Sequence, residues 1–181
     1  APVAPDEPVN RETVTRATAT ALERAGLPPA MAPYLAAIAI NEGILVPGTI
    51  ARDYWSVGGV KAPGSGGSVT VPTREFINGQ WVTENASFGR FNSMQEGLDG
   101  LAAFVRDSPR FGPVAQAAAK SGDYAGMIEG FRQKGYATDP AWTQKVVGIA
   151  QGLPTPSIPN AGATPPAAPS PPAAPGLPHI P

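Results

Sequence analysis

Met31-Ala-Pro-Tyr-Leu-Ala-Ala-Ile-Ala-Ile-Asn-Glu42, closed by Gly43, is the stretch on which the reading of this chain turns. As a helix it places Met31, Leu35, Ile38, Ala39 and Glu42 three and four residues apart on one stripe. The stripe is apolar until its last member. A carboxylate finishing an apolar face loses much of its water, which favours the protonated form and raises its pKa. Gly43 stops the helix and leaves the acid at a mouth rather than deep in a core. A positioned, proton-bearing carboxylic acid is what glycoside cleavage requires, because the leaving oxygen must be protonated as the bond breaks. The competing reading is a helix-end glutamate facing solvent among chance neighbours.

Working outward, residues 1–9 read as coil. Asn10 is placed to cap a first helix whose buried face is Val14, Ala17, Ala21, Leu22 and Ala25. Gly26 and Pro28-Pro29 end it, and the helix carrying Glu42 begins at about 29. After Glu42 the stretch LVPGTIARDYW reads as loop, followed by Ser56-Val-Gly-Gly-Val-Lys61. Pro63-Gly-Ser-Gly-Gly-Ser68 reads as flexible. Residues 69–88 form a hairpin around Asn78-Gly79, the strongest two-residue type I′ turn signal. That register sets Ile77 against Gln80, Phe76 against Trp81 and Glu75 against Val82. Period two then puts Glu75 and Glu84 on one face and Phe76, Trp81 and Arg74 on the other. Ser93-Met-Gln-Glu96 reads as a capping box opening a helix with Leu98, Leu101, Ala102 and Val105 inward. Helices at about 112–120 and 123–134 follow. Asp139 is read as the cap and Pro140 as the first residue of a last helix ending near 151. The expected class is α+β, mainly α, with one hairpin inserted among helices.

From 152 onward roughly every third residue is proline, with few sizeable apolar groups. Residues 152–181 therefore read as an extended tail or linker, leaving the domain at 10–151. The net charge is −1 and no Lys/Arg run exists, which argues against nucleic acid as a partner. There is no cysteine, and the single histidine, His179, lies in the tail. Cysteine chemistry, a His-based triad and a His-ligated metal are thereby excluded from the folded part, and carboxylates must carry acid–base work. No metal and no cofactor is expected. No apolar run reaches membrane-spanning length, and no signal peptide is visible at the polar, proline-rich start.

Taken in order, Glu42 at a helix end, Gly59-Val60-Lys61, Thr73-Arg-Glu75 on a hairpin, Phe88-Gly-Arg-Phe91-Asn-Ser and Gly135-Tyr-Ala-Thr-Asp-Pro140 resemble the glucosaminidase domain of glycoside hydrolase family 73. The resemblance covers about residues 10–151. It implies a lysozyme-like helical lobe with a small β-lobe beside a glycan cleft. It also implies an endo-β-N-acetylglucosaminidase acting on bacterial peptidoglycan, outside the cytoplasm. The host assembly stays open among a virion or phage tail, a flagellum and a secreted autolysin, with the tail as a tether. Glu42 matches the general acid, Glu75 the second carboxylate and Tyr136 a tyrosine beside the acid. The turn after the acid departs from the family: Gly43-Ile-Leu-Val-Pro-Gly48 stands where Ser or Thr and a Gly-Trp-Gly-like turn are usual.

Glu84 is the rival to Glu75 because it shares the predicted face. Trp55 and Tyr54 are candidate sugar-stacking surfaces, with closure of the core as the alternative. Lys61 is a candidate contact for the carboxylated wall peptides, against the default of a solvated charge. Two other activities remain open at this point. A lytic transglycosylase needs the one acid and no Glu75. A structural or wall-binding module keeps the cleft without turnover.

Overall fold

The computed structural model describes residues 3–156. The helix α1 (Arg11–Arg24) is capped by Asn10, whose side chain accepts from the Thr13 N–H while Thr13 Oγ1 accepts from the Asn10 N–H. Its buried set is wider than one amphipathic face. Thr13, Thr15, Thr18 and Thr20 are buried together with Val14, Ala17, Ala21 and Leu22. Thr15 and Thr18 satisfy their hydroxyls on carbonyls four residues back, so a helix rich in threonine can sit at the centre of the fold. It packs on α2 (Ala32–Asn41) and on α4 (Met94–Asp107), and α2 packs in turn on α7 (Trp142–Gln151). A single 3-10 turn, Pro29–Met31, leads into α2. A short helix α3 (Ile50–Asp53), capped by Thr49, occupies part of the stretch read as loop. Helices α5 (Gly112–Ser121) and α6 (Tyr124–Gln133) complete the helical lobe.

The hairpin is β1 (Ser68–Ile77) and β2 (Gln80–Gly89), in the register the Asn78-Gly79 turn dictates. Both turn residues have positive φ, 51° and 79°, as a type I′ turn demands. The result is α+β and mainly helical, as the sequence pattern implies.

Three local readings need correction. Ser93 caps α4 by accepting from the Glu96 N–H, but the reciprocal half of the box is missing. The Glu96 carboxylate instead accepts from Ser65 Oγ at 3.1 Å. The glycine-rich stretch before the hairpin is not loose. Gly64 and Gly67 exchange backbone bonds of 2.8 and 3.0 Å, and Gly66 and Arg90 tie the same turn to the end of β2. A side chain at Gly64 would collide with Phe91 and the Arg90 carbonyl, so glycine is there for close approach rather than for freedom. Asp139 does not cap α7. Its Oδ1 accepts from the Ala141 N–H and its Oδ2 from Lys145 Nζ, so the helix starts at Trp142 and Pro140 stays in the turn. Leu153 is buried against the core, just past the expected start of the tail. From residue 157 that tail, with His179, lies outside the described residues.

Candidate active site

Among the described residues three helix ends finish in the same device, at Gly26, Gly43 and Gly135, and the last two flank the site. At the end of α2, Glu42 is the cap residue. The Gly43 N–H bonds back to Ile40 and the Ile44 N–H to Ala39, with Gly43 at φ 99°. This Schellman turn buries Ile44 and fixes the Glu42 backbone. At the end of α6 the Gly135 N–H bonds to Arg132 and the Tyr136 N–H to Phe131, with Gly135 at φ 85°. That turn delivers Tyr136.

Glu42 is half-buried. Its Oε2 accepts from the Gly58 N–H at 2.6 Å. Desolvation pushes its pKa up from 4.5 to about 7, and the Gly58 hydrogen bond pulls the other way. Burial wins because one amide dipole replaces only part of the lost water. No second acid contributes to that shift.

The Tyr136 ring is clamped by aromatics. Phe131 and Trp142 stack on it with centroids at 5.8 and 5.2 Å, and Phe111 meets it edge-on at 5.1 Å. Its hydroxyl is buried without a hydrogen-bond partner and lies close to Gly58. Burial, and then the nearby Glu42 charge, hold its pKa well above the ordinary tyrosine value. It therefore stays a proton donor, poised beside the acid.

A second group of residues lies on the hairpin. Lys61, Thr73, Glu75, Glu84 and Thr138 line an open groove of about 650 Å³. Glu75 is half-buried and Glu84 exposed, consistent with Glu75 standing nearer the helical lobe. The Lys61 ammonium lies 5.3 Å from the centre of the Phe88 ring rather than paired with either acid. Glu42 does not line this groove. The link between the two groups is the segment 136–138, which starts at Tyr136 beside the acid and ends at Thr138 in the groove.

Trp55 and Tyr54 are not in the groove. Trp55 has a positive φ of 51°, and the Gly97 backbone packs directly against its carbonyl. Its ring lines a separate cleft with Val3, Pro5, Val9 and Met94 from the N-terminal segment and the start of α4. Tyr54 lies under the Arg90 guanidinium at 5.2 Å. Trp55 is part-buried against the core, and Tyr54 is part-buried beneath Arg90. Gly58 and Thr138 are not evident as site residues from the sequence. Gly58 left a signal, since two successive glycines mark a turn needing positive φ, and Gly58 and Gly59 have φ 77° and 64°. Thr138 left none beyond its place in the Gly135–Pro140 motif.

Among the described residues no helix is long and apolar enough to cross a membrane, and no cluster of three potential metal ligands occurs.

The family model for glucosaminidase, described as mannosyl-glycoprotein endo-beta-N-acetylglucosaminidase, matches residues 16–154. The peptidoglycan hydrolase FlgJ of Vibrio parahaemolyticus is 33% identical over 88 residues, covering 49% of this chain and 28% of that protein. The exo-glucosaminidase LytG of Bacillus subtilis is 32% identical over 98 residues, covering 51% of this chain and 33% of that protein. The chain thus spans less than a third of the FlgJ relative's length. In structure, the catalytic domain of the autolysin Auto from Listeria monocytogenes superimposes with a TM-score of 0.60 at 22% identity, covering 82% of this chain and 86% of that one. That likeness establishes the fold.

Proposed function

The chain belongs to the glucosaminidase family, and from that premise we propose that it is a peptidoglycan hydrolase, an endo-β-N-acetylglucosaminidase with Glu42 as general acid. The observation that carries this reading is the pKa of Glu42, raised to about 7 by burial at the end of an apolar helix. An acid with that value is about half protonated at neutrality, against almost wholly ionised for an ordinary glutamate, and its protonated fraction can deliver a proton to a glycosidic oxygen. Tyr136 donates from a site kept dry by aromatic rings, to the Glu42 carboxylate once the proton has gone. Glu75, on the hairpin side of the site, is the base that activates water. Glu75 adds nothing to the Glu42 shift, which speaks against a close carboxyl pair. The open shape of the groove suits an extended glycan strand. Lys61 at the groove wall suits the carboxylates of the wall peptides. The place of action is the cell wall, outside the cytoplasmic membrane. The relatives' printed names point to bacterial wall turnover rather than to a virion.

The deciding experiment is digestion of purified peptidoglycan followed by mass analysis. Internal fragments with N-acetylglucosamine reducing ends are expected. Anhydro-muramic ends would replace hydrolysis by transglycosylation, and bound but uncut glycan would leave a wall-binding module. The rate on the alkaline side should fall as pH rises through about 7, because deprotonation of Glu42 removes the acid.

Glu75→Gln is expected to lower turnover about a hundredfold, the usual contribution of a positioned base. Glu84→Gln should cost much less, since it stands more exposed on the same groove. The opposite order in a side-by-side rate measurement would transfer the role to Glu84.

A further inference from the structure

Glu75 is carried on a ribbon packed mainly on itself. The two strands pair with each other, and neither packs on a helix to a comparable extent. A two-stranded ribbon is marginal by itself in water. Its attitude, and so the location of Glu75, depends on how it is fastened. The root is fastened by backbone: the Gly89 N–H donates to the Val60 carbonyl at 2.8 Å and the Arg90 N–H to Gly67 at 2.9 Å. A root alone is a hinge.

The tip is fastened once. Ile77 and Gln80 flank the two-residue turn, so Phe76 and Trp81 form the non-hydrogen-bonded pair and the Phe76 N–H points outward from β1. Pro72 shares that outward parity and offers no N–H to satisfy. The Phe76 N–H donates to Thr138 Oγ1 at 3.1 Å. Among the described residues it is the one side-chain hydrogen bond that leaves the ribbon. The other end of this tie is firm. Thr138 stands two residues beyond the clamped Tyr136 and one before Asp139, whose carboxylate is held by Ala141 and Lys145. Thr138 also lines the groove beside Glu75, the neighbour of the residue it ties down.

We propose that Thr138 is a positioning residue: its hydroxyl latches the hairpin tip to the segment that carries Tyr136, and so sets where Glu75 stands relative to Glu42. The proposal rests on the glucosaminidase reading above. The hydroxyl acts as an acceptor from a backbone N–H, so serine can replace threonine and valine cannot. The bond is exposed, so its loss frees the tip without unfolding the domain.

The test uses the full chain and three variants, Thr138→Val, Thr138→Ser and Thr138→Val combined with Glu75→Gln. Hydrogen exchange at the Phe76 amide is expected to quicken in Thr138→Val and to stay slow in Thr138→Ser. Turnover of purified peptidoglycan should fall about tenfold in Thr138→Val, on the scale of a misplaced catalytic group, with recovery in Thr138→Ser. The alkaline limb of the pH–rate profile, set by Glu42, should not move. The double variant should be no slower than Glu75→Gln alone, because the latch acts only through Glu75. Unchanged exchange at Phe76 in Thr138→Val overturns the latch. Faster exchange with undiminished turnover, or a double variant with additive losses, overturns the positioning role. If the parent protein cuts no glycan, the glucosaminidase reading fails by itself, and the positioning role falls with it whatever the exchange shows.

Discussion

Replacing Glu42 by glutamine will abolish glycan cleavage and, above neutrality, make the protein more stable. Glutamine matches the carboxyl in size and keeps an oxygen to accept from the Gly58 N–H, now held at 2.6 Å. It cannot give up a proton to a leaving oxygen. The loss expected is about a thousandfold or more, within the range attributed to a positioned general acid. The stability effect follows from linkage. In the unfolded chain Glu42 titrates near 4.5, and in the folded protein near 7. Between those values the native state holds a proton that the unfolded chain has released, so stability falls as pH rises through the window. A shift of that size corresponds to roughly 3 kcal/mol. Below pH 4 both states are protonated and the glutamate carries no penalty. Thermal unfolding should therefore show Glu42→Gln and the parent alike at pH 4, and the variant higher by several degrees at pH 8. A variant that retains turnover removes Glu42 from the mechanism. One that is inactive but equally stable at both pH values removes burial as the source of the acid's proton affinity.

That outcome would extend a reading largely available in the residues themselves. The stop at Gly43 is a local fact that local geometry realises, whereas the helix before it is buried on nearly every face rather than along one stripe, and Met31 lies in the 3-10 turn ahead of it. The Asn78-Gly79 turn is equally local, and one dipeptide sets the pairing of ten residues on each strand. What escaped the sequence involves partners far apart in the chain. The Glu96 side chain is taken by Ser65, 31 residues away, so the capping box closes only on one side. Asp139 spends its carboxylate on Lys145 and on a turn at Ala141, and the helix starts later than its cap signal suggests. Trp55, beside Tyr54 and a Gly-Gly turn, leaves both sugar stacking and core closure open in the sequence. Its left-handed backbone, pinned by Gly97, sets the ring among N-terminal residues. The Gly58 amide and the Thr138 hydroxyl act across 16 and 62 residues respectively, beyond the reach of any periodic pattern.

Gly58 is where the second large effect is expected. Gly58→Ala should destabilise the fold by about 3 kcal/mol while moving the pH profile in the alkaline direction. The first part is steric. The residue has φ 77°, a conformation an alanine adopts only at a cost of about 1–2 kcal/mol. The added Cβ would also press into Leu101 Cδ1 and come within 2.8 Å of Tyr136 Oη. Leu101 is fully buried in α4 and has nowhere to retreat, so overpacking of about 1–3 kcal/mol adds to the backbone strain. The second part is electrostatic. The Gly58 N–H is the one interaction that lowers the Glu42 pKa against desolvation. A backbone that backs away from Leu101 lengthens this bond, and the carboxyl then holds its proton to higher pH. Turnover should drop because the acid and Tyr136 no longer share a fixed frame, yet the alkaline limb of the remaining activity should lie above that of the parent. Denaturant unfolding together with pH–rate curves measures both effects. A weaker fold with an unmoved limb would mean that Gly58 supports packing alone. A limb shifted toward lower pH would show that the Gly58 amide does not restrain the proton affinity of Glu42.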